Sequence, residues 1–259
     1  MIDSENDVDV SVIITTFNRK DYLIQAVRSI LDQSYMKFEL IVVDDFSNYD
    51  VKYELSKFND TRIKVYQNKS NGAVAVNRNF GISKSIGKYI AFCDDDDLWV
   101  ENKLEIQVPL LKNHDLCFTN RLGIDSFGNL IQVKSFVIPK HISVSTLLRR
   151  NIITLSSVLV KKSVFVKFLP FDIRNEYIAT EDYELWLRLL SNNVNLIGVD
   201  NNLVFYRVHS FNISVDKHKS VLKVMKINSN LREKLHIHRF QYYYYWLLNV
   251  AKFLIYKFI

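Results

Sequence analysis

Four consecutive aspartates, Asp94, Asp95, Asp96 and Asp97, follow the apolar run at residues 89–93. Adjacent carboxylates repel one another, and divalent cations such as Mg²⁺ and Mn²⁺ prefer oxygen ligands. A cation that bridges two phosphates would neutralise such a cluster. In a continued strand, alternate side chains share a face, so Asp94 and Asp96 would point away from Asp95 and Asp97. The alternative is a solvated acidic loop, but the position after an apolar strand favours metal and phosphate chemistry.

The residues around this cluster predict the elements that position it. Continuous apolar, β-branched runs predict buried strands, and apolar residues at helical spacing predict helices between them. The strands are expected at residues 10–14, 38–43, 62–66 and 89–93. Helices are expected at 73–86 and after Asn18, which is predicted to cap the first helix. This alternation predicts an α/β fold with a doubly wound, mostly parallel sheet.

Polar side chains follow three of these predicted strands. Thr15 and Thr16 follow the first, Asp44 and Asp45 follow the second, and the four aspartates at 94–97 follow the fourth. In doubly wound sheets, ligands bind beyond the carboxyl ends of the strands. We therefore expect these polar groups to converge on one crevice.

The second half of the chain is less regular. Short strands are predicted within 116–137, around a turn at Gly128 and Asn129, and further strands at 154–160 and 203–208. The spacing of apolar residues predicts a short amphipathic helix at 181–190 and a helical tail at 219–259. The domain prediction is one catalytic domain at 1–215 and a basic, aromatic helical extension at 216–259.

The charge of the chain is concentrated in this tail. The formal net charge is +6, yet residues 217–259 contain nine lysines and arginines against a single acid, Glu233. Such a distribution indicates a local anionic partner and argues against a globally basic nucleic-acid-binding protein. Cys93 and Cys117 lie in apolar runs, which predicts buried free thiols in a reducing compartment. Neither a signal peptide nor a transmembrane helix is predicted.

Five segments together resemble the signature set of the family 2 glycosyltransferases, which have the GT-A fold. In chain order they are VSVIITTFNR (10–19), FELIVVDDFSNYD (38–50), NGAVAVNRNFG (71–81), YIAFCDDDDLW (89–99) and EDYELWL (181–187). The resemblance extends from about residue 10 to residue 214. It implies an inverting, metal-dependent transfer of a sugar from a nucleotide-sugar, here expected to be a UDP-sugar.

The resemblance also implies roles for individual residues in the first half. Thr16 and Asp45 would contact the nucleotide base, and Arg78 would approach the base or the diphosphate. Asp94 would hold the ribose, and Asp96 would ligate Mn²⁺ or Mg²⁺ as part of the D-x-D motif. Each residue also has an ordinary structural alternative: Asp45 could cap a turn, and Arg78 could be a surface charge.

Further roles are expected around these residues and in the second half. Asn18, Asp95 and Glu181 are predicted to contact substrate or nucleotide, and Asp182 is implied as the general base. Asp182 could instead be a carboxylate that the dipole of its helix stabilises. His209, which is followed by Asn212 and Ser214, could reach the metal or the diphosphate, and a purely structural role is equally open.

Three features refine the expected activity. Thr15 stands where the family often has proline, and Phe46 stands where it often has glycine, so a turn with positive φ after Asp45 would be strained. The stretch Gln-x-x-Arg-Trp, which accompanies processive synthases of the family, does not follow Asp182. Transfer of a single hexose or N-acetylhexosamine is therefore expected.

The predicted acceptor is a hydroxyl of a glycan or of an undecaprenyl-diphosphate-linked sugar, as in the assembly of O-antigen or other surface polysaccharides. Aromatic residues beside lysine and arginine in the tail favour peripheral contact with an anionic membrane, at its cytoplasmic face. Packing of the tail onto the domain, or dimerisation, is the alternative. A non-catalytic, nucleotide-sugar-binding partner subunit on the same fold is the second functional hypothesis. A nucleotidyl enzyme is disfavoured because the chain has no G-x-x-x-x-G-K-[ST] loop.

Overall fold

The computed structural model describes residues 8–70, 73–133, 137–209, 217–235 and 237–258. Within these ranges a nine-stranded sheet has helices on both faces. The strands are β1 (Val10–Thr16), β2 (Phe38–Asp44), β3 (Ile63–Gln67), β4 (Tyr89–Asp94), β5 (Leu98–Trp99), β6 (Leu116–Ile124), β7 (Leu130–Ile131), β8 (Leu159–Lys161) and β9 (Leu196–Arg207). The helices are α1 (Lys20–Leu31), α2 (Val51–Ser56), α3 (Val74–Lys84), α4 (Lys103–Gln107), α5 (Val144–Arg149), α6 (Lys162–Phe168), α7 (Glu181–Ser191), α8 (Lys217–Leu231) and α9 (Arg239–Phe258).

The sheet has the strand order β3-β2-β1-β4-β8-β6-β9-β5, and β7 pairs with β6. Strands β1 to β4 are mutually parallel, and Val10 at the start of β1 is level with Phe38 of β2 and Tyr89 of β4. Strand β8 runs antiparallel to β4 and joins this half to the parallel pair of β6 and β9. The α/β architecture predicted from the sequence is confirmed.

Alternate residues of the buried strands supply two cores. Ile13 of β1 belongs to the core that contains α3 and α7, whereas Val12 and Ile14 belong to the core that contains α1. Helix α3 packs very closely on β1, because a Cβ atom at Gly81 would lie 2.6 Å from Cγ2 of Ile13. Glycine at this position therefore lets α3 approach the sheet and sets the height of its other side chains above the strand ends.

Two predicted features of the chain are wrong. Asn18 does not cap α1, which begins at Lys20; Asn18 has φ 55°, and its Oδ1 accepts a hydrogen bond from the backbone N–H of Asn48 at 2.7 Å. Residues 154–160 do not form one strand, because a 3₁₀ turn at Leu155–Ser157 precedes β8. The turn allows the side chain of Ser156 to contact the acidic cluster. A continuous strand at 154–160 would not require this contact.

The C-terminal helices have one buried and one exposed face. Ile227, Leu231, Leu235 and Tyr245 belong to the same core as Trp186 of α7. The outer face of α9 exposes large apolar side chains, namely Phe240, Tyr243, Tyr244, Trp246, Leu247, Leu254 and Ile255. The tail thus packs onto the rest of the chain with one face only. In the described ranges no helix has both the length and the apolar character needed to cross a bilayer.

Several predictions fall on residues outside the described ranges. The proposed domain boundary between 215 and 216 lies there, as do Asn212 and Ser214. The division of the chain into two domains therefore stays a prediction. Both cysteines are buried free thiols, as expected.

Candidate active site

A cavity of about 540 Å³ opens where β1, β2 and β4 end. Residues at the ends of these strands form one wall, and residues from the second half of the chain form a second wall. The polar strand ends therefore meet at one crevice, as the alternation of strands and helices predicts. The predicted site residues that line the cavity are Thr16, Asp45, Arg78, Asp94, Asp95, Asp96, Glu181 and Asp182. Asn18 and His209 are not part of its lining.

The four aspartates do not alternate between two faces, which corrects the sequence-based expectation. Strand β4 ends at Asp94, and the chain then turns, with the backbone N–H of Asp97 donating to the carbonyl of Asp94 at 3.1 Å. Because of the turn, the four carboxylates do not lie on two opposite faces of an extended strand. They do not form a solvated loop either, because Asp95 is 4%, Asp96 7% and Asp97 0% exposed.

Each of the buried aspartates accepts hydrogen bonds, and Asp95 and Asp96 share one donor. Asp95 accepts from Oγ1 of Thr16 at 2.8 Å and from Nη1 of Arg19 at 3.0 Å. Asp96 accepts from the same Arg19 nitrogen at 2.8 Å. Asp97 accepts from Oγ of Ser156 at 2.5 Å and from the backbone N–H of Arg207 at 3.0 Å. These donors allow three adjacent carboxyl groups, those of Asp95, Asp96 and Asp97, to be buried together.

Asp94, Asp96 and Asp97 each place one carboxylate oxygen within 4.8 Å of the other two. Burial, together with the charge of Asp94, raises the pKa of Asp96. Burial and the charges of Asp96 and Asp94 raise the pKa of Asp97 well above its usual range. Burial also raises the pKa of Asp95 to about 7, with a further contribution from Asp96. The cluster of three carboxylates, in which the ionisation of Asp96 and Asp97 is disfavoured, fits a hard divalent cation, because the cation would supply the missing positive charge.

His209 contacts this cluster through Asp96. Its Nε2 is 2.9 Å from Oδ2 of Asp96, and its ring stacks on Tyr22 with the centroids 5.4 Å apart. The side chain is 4% exposed. His209 is thus in contact with the predicted metal ligand Asp96, although it does not reach the cavity itself.

Arg78 connects the two walls of the cavity. The guanidinium donates through Nη2 to Asp94 at 2.9 Å and through Nη1 to Glu181 at 2.5 Å, and it lies over the ring of Phe171. It is 7% exposed, so it is not a surface charge. The end of β4 and the start of α7 are therefore held together by one buried cation that lines the cavity.

Asp182 faces the cavity from the first turn of α7. Its Oδ1 accepts a hydrogen bond from the backbone N–H of Tyr183 at 2.7 Å. Burial, reinforced by the charge of Glu181 and opposed by Arg78, raises the pKa of Asp182 to about 7. The carboxylate therefore has a pKa suited to accepting a proton near neutral pH.

Asp45 lies on the side of the cavity formed by β2. Its carboxylate accepts hydrogen bonds from both the backbone N–H and the hydroxyl of Ser70, the former at 2.6 Å. The backbone N–H of Asp45 donates to the carbonyl of Thr16 at 2.9 Å, which keeps the two predicted base-contacting residues together. Phe46 has φ 62° and is exposed, so the chain adopts the left-handed turn despite the absence of glycine.

Two arginines in the cavity were not predicted as site residues. Arg19 bridges Asp95 and Asp96, and it lies within the segment VSVIITTFNR that carries part of the resemblance, so the motif itself could have identified it. Arg121 reaches the second wall from β6, at an irregularity in its pairing with β9. No spacing pattern marks Arg121, because the bulge that directs it is not visible in the sequence.

Comparison with known proteins agrees with this geometry. The sequence model of the family described as Glycosyl transferase family 2 matches residues 11–165. The chain is 31% identical over 246 residues to the UDP-Glc:alpha-D-GlcNAc-diphosphoundecaprenol beta-1,3-glucosyltransferase WfaP of Escherichia coli, and the match covers 93% of each chain.

Two solved structures share the fold. The S. aureus protein TarS 1-349, in complex with UDP-GlcNAc, superposes with a TM-score of 0.68 at 18% identity, over 97% of this chain and 73% of that one. The mannosyltransferase PcManGT from Pyrobaculum calidifontis, in complex with GDP-Man and Mn²⁺, has a TM-score of 0.69 at 14% identity, over 96% and 72%. The GT-A fold expected from the resemblance is confirmed, and the chain belongs to glycosyl transferase family 2.

Proposed function

We propose that this protein is an inverting hexosyltransferase that transfers a single sugar from a UDP-sugar to a hydroxyl of a glycan or of an undecaprenyl-diphosphate-linked acceptor. The transfer would serve surface-polysaccharide assembly, such as that of O-antigen, and would depend on Mn²⁺ or Mg²⁺. The relative WfaP, whose name contains a UDP-Glc donor and a diphosphoundecaprenol-linked acceptor, supports this choice of substrates. The Mn²⁺ in the structure of PcManGT supports the metal.

One observation carries the proposal. Asp182, with its pKa raised to about 7, lies in the same cavity as the acidic cluster after β4, and Arg78 joins the two walls. A proton acceptor therefore faces a group of residues that can hold a diphosphate. This is the arrangement that attack by a hydroxyl on an activated sugar requires.

In the proposed reaction the acceptor hydroxyl loses its proton to a carboxylate oxygen of Asp182 as its oxygen bonds to the anomeric carbon. The bond from that carbon to the diphosphate oxygen breaks, and the nucleoside diphosphate leaves with the bonding electrons. Arg78 would donate hydrogen bonds to the leaving group. A divalent ion held by Asp94, Asp96 and Asp97 would offset the negative charge of the diphosphate. His209 would keep Asp96 oriented.

The nucleotide would occupy the part of the cavity near β1 and β2. Thr16 and Asp45 line it there and are proposed to contact the base, while Asp94 and Asp95 would face the ribose and the diphosphate. The side chain of Asn18 does not line the cavity. Asn18 is therefore proposed to act indirectly, by holding the loop that contains Asn48 through its hydrogen bond to the Asn48 backbone.

The acceptor would enter beside α7. Glu181 is 4% exposed and lines the cavity, and its Oε2 has no hydrogen-bond partner among the described residues. A buried carboxylate oxygen of this kind is suited to accept a hydrogen bond from a sugar hydroxyl. Direct displacement in one step needs only one catalytic carboxylate and inverts the anomeric configuration, which would give a β-linkage from an α-linked donor.

Contact with the cytoplasmic face of an anionic membrane forms part of the proposal. The outer face of α9 exposes aromatic and aliphatic side chains, among them Phe240 at 80% and Leu247 at 59%. Large aromatic side chains beside lysine and arginine favour the interface between lipid headgroups and acyl chains. An acceptor with a lipid anchor would be presented at that surface.

The deciding experiment is incubation of the purified protein with UDP-sugars, a sugar-diphosphate-lipid acceptor and Mn²⁺, with the product analysed by mass spectrometry and NMR. We expect transfer of one sugar in a β-linkage, and loss of transfer in the Asp182→Asn variant. Binding of UDP-sugar by thermal shift without any transfer or hydrolysis would instead support the non-catalytic subunit. Multiple additions to one acceptor, or an α-linkage, would contradict the single inverting step.

A further inference from the structure

A row of cations extends from the cavity to helix α9. Arg121 is its inner member: it lines the cavity, its Nη1 donates to Oγ1 of Thr154 at 2.5 Å, and its guanidinium lies 4.1 Å from the ring centroid of Tyr206. Thr154 and Tyr206 also line the cavity. These contacts hold the guanidinium on the same wall as Asp182.

The segment after α5 links this wall to the outside of the protein. Arg150 directly follows α5, and the next residues, Asn151, Ile153 and Thr154, line the cavity. At the other end of the segment, the carbonyl of Arg149 accepts a hydrogen bond from Nζ of Lys252 of α9 at 3.0 Å. A run of a few residues therefore connects the cavity, an exposed arginine and the C-terminal helix.

Arg150 lies close enough to Arg121 and to Lys252 to affect both. Burial lowers the pKa of Arg121, and the charge of Arg150 lowers it further, while Asp182 and Asp97 oppose the effect. Burial and the charge of Arg150 also lower the pKa of Lys252. Cations that repel one another in this way gain from an anionic ligand placed between them.

From this placement we infer that Arg121 and Arg150, with Lys252 at the outer end, form a binding site for the diphosphate of the acceptor. The inference rests on the proposed function. A sugar whose hydroxyl is at Asp182 would direct its diphosphate along Arg121 and Arg150, because a guanidinium pairs with phosphate oxygens in two parallel hydrogen bonds. Its lipid chain would then continue to the exposed apolar face of α9.

This site is separate from the residues proposed for the donor diphosphate. Arg78, Asp94 and Asp96 lie at the end of β4 and on α3, whereas Arg121 and Arg150 come from β6 and the segment after α5. Recognition of the two diphosphates by different arginines would let the enzyme require an acceptor diphosphate without changing its affinity for the nucleotide-sugar.

The test compares two acceptors that carry the same sugar, one joined to a short alkyl chain through a diphosphate and one a neutral alkyl glycoside. Transfer is measured for the wild-type chain, Arg121→Lys, Arg121→Gln and Arg150→Gln. Arg28→Gln is the control, since it removes an equal charge from an exposed position on α1. Thermal unfolding checks that each variant is folded.

We expect the wild type to prefer the diphosphate acceptor. Arg121→Gln should raise the KM for that acceptor roughly 10- to 100-fold, the effect of losing hydrogen bonds to a charged group, and Arg121→Lys should restore part of it. Arg150 is exposed, so Arg150→Gln should raise the same KM only about two- to fivefold. The KM for the UDP-sugar and the behaviour of Arg28→Gln should be unchanged, and so should the rate of Arg150→Gln with the neutral acceptor.

Equal losses on both acceptors, or a raised KM for the UDP-sugar, would overturn the inference and leave the proposed function standing. If Arg121→Gln does not fold, the exposed Arg150→Gln variant still decides: an unchanged preference for the diphosphate acceptor would contradict the site. Absence of transfer by the wild type to either acceptor would refute the proposed function, and this inference with it.

Discussion

The ionisation of Asp182 gives the most direct prediction for the proposed mechanism. Only the ionised carboxylate can accept the proton of the acceptor hydroxyl, and the pKa of Asp182 is raised to about 7. With that pKa, about a tenth of the molecules carry the base form near pH 6 and about nine-tenths near pH 8. We therefore expect kcat/KM to rise about tenfold per pH unit below neutrality and to reach a plateau above it.

Two substitutions separate the base from its surroundings. Asp182→Asn keeps the size of the side chain but removes the proton acceptor, so turnover should fall roughly 10²- to 10⁴-fold with little change in UDP-sugar affinity. Glu181→Gln removes the neighbouring negative charge, which is the main cause after burial of the raised pKa of Asp182. The remaining charge of Arg78 then stabilises the ionised form, so the acidic limb of the profile should move to lower pH.

The assay is the rate of UDP release in the presence of acceptor, measured from about pH 5.5 to about pH 8.5 at constant ionic strength. Glu184→Gln is the matched control. Glu184 is a buried acid in the same turn of α7, but it pairs with Arg188 and not with Arg78. Its profile should keep the wild-type midpoint. A Glu181→Gln profile that stays in place or moves to higher pH would refute the electrostatic argument, and near-wild-type turnover by Asp182→Asn would refute the assignment of the base.

Three other results are expected. Asp96→Asn should remove the dependence of transfer on Mn²⁺ together with most of the activity, and a variant that remains fully active in excess chelator would exclude a metal at the cluster. Leu247→Glu combined with Leu254→Glu should weaken sedimentation with anionic liposomes, while Val166→Glu combined with Leu130→Glu, which adds the same two charges at exposed positions outside α9, should not. Lys103 is fully buried with its pKa lowered to about 7, so the unfolded chain binds a proton that the folded chain releases, and stability should rise from pH 7 towards about pH 10. Lys103→Met should abolish that rise in the free energy of urea unfolding. If the rise persists in this variant, the titrating group is not Lys103.

The N-terminal half was predictable because its strands are fully buried and therefore continuous in apolar residues. The runs that became β1, β2 and β4 have this character, and each ends in polar residues at the same edge of the sheet. Asp45 and Asp94 could be placed beside the cavity from this rule alone. Local backbone geometry could not be predicted from this rule. Asn18, for example, does not cap α1; it has a left-handed backbone, and its side chain joins two loops.

The second wall could not be predicted, because its residues are placed by irregular backbone. Arg121 reaches the cavity at an irregularity in the pairing of β6 with β9, where β9 contains the extra residues, and Ser156 contacts the acidic cluster through a 3₁₀ turn. Neither feature has a periodicity that a sequence displays. Arg207 is a related case. It ends a strand that was predicted, but its complete burial in contact with Asp96 and Asp97 depends on the turn that follows β4.

The two faces of α9 determine how its proposed role at the membrane can be examined. Tyr242 and Tyr245 are buried, 6% and 8% exposed, and Tyr245 belongs to the core that also contains α7. Deletion of the helix would therefore expose part of the core next to Asp182, and a loss of activity would follow whether or not the outer face binds lipid. Only substitutions confined to the outer face, such as those at Leu247 and Leu254, can distinguish lipid contact from packing, because they leave the inner face and the cavity unchanged.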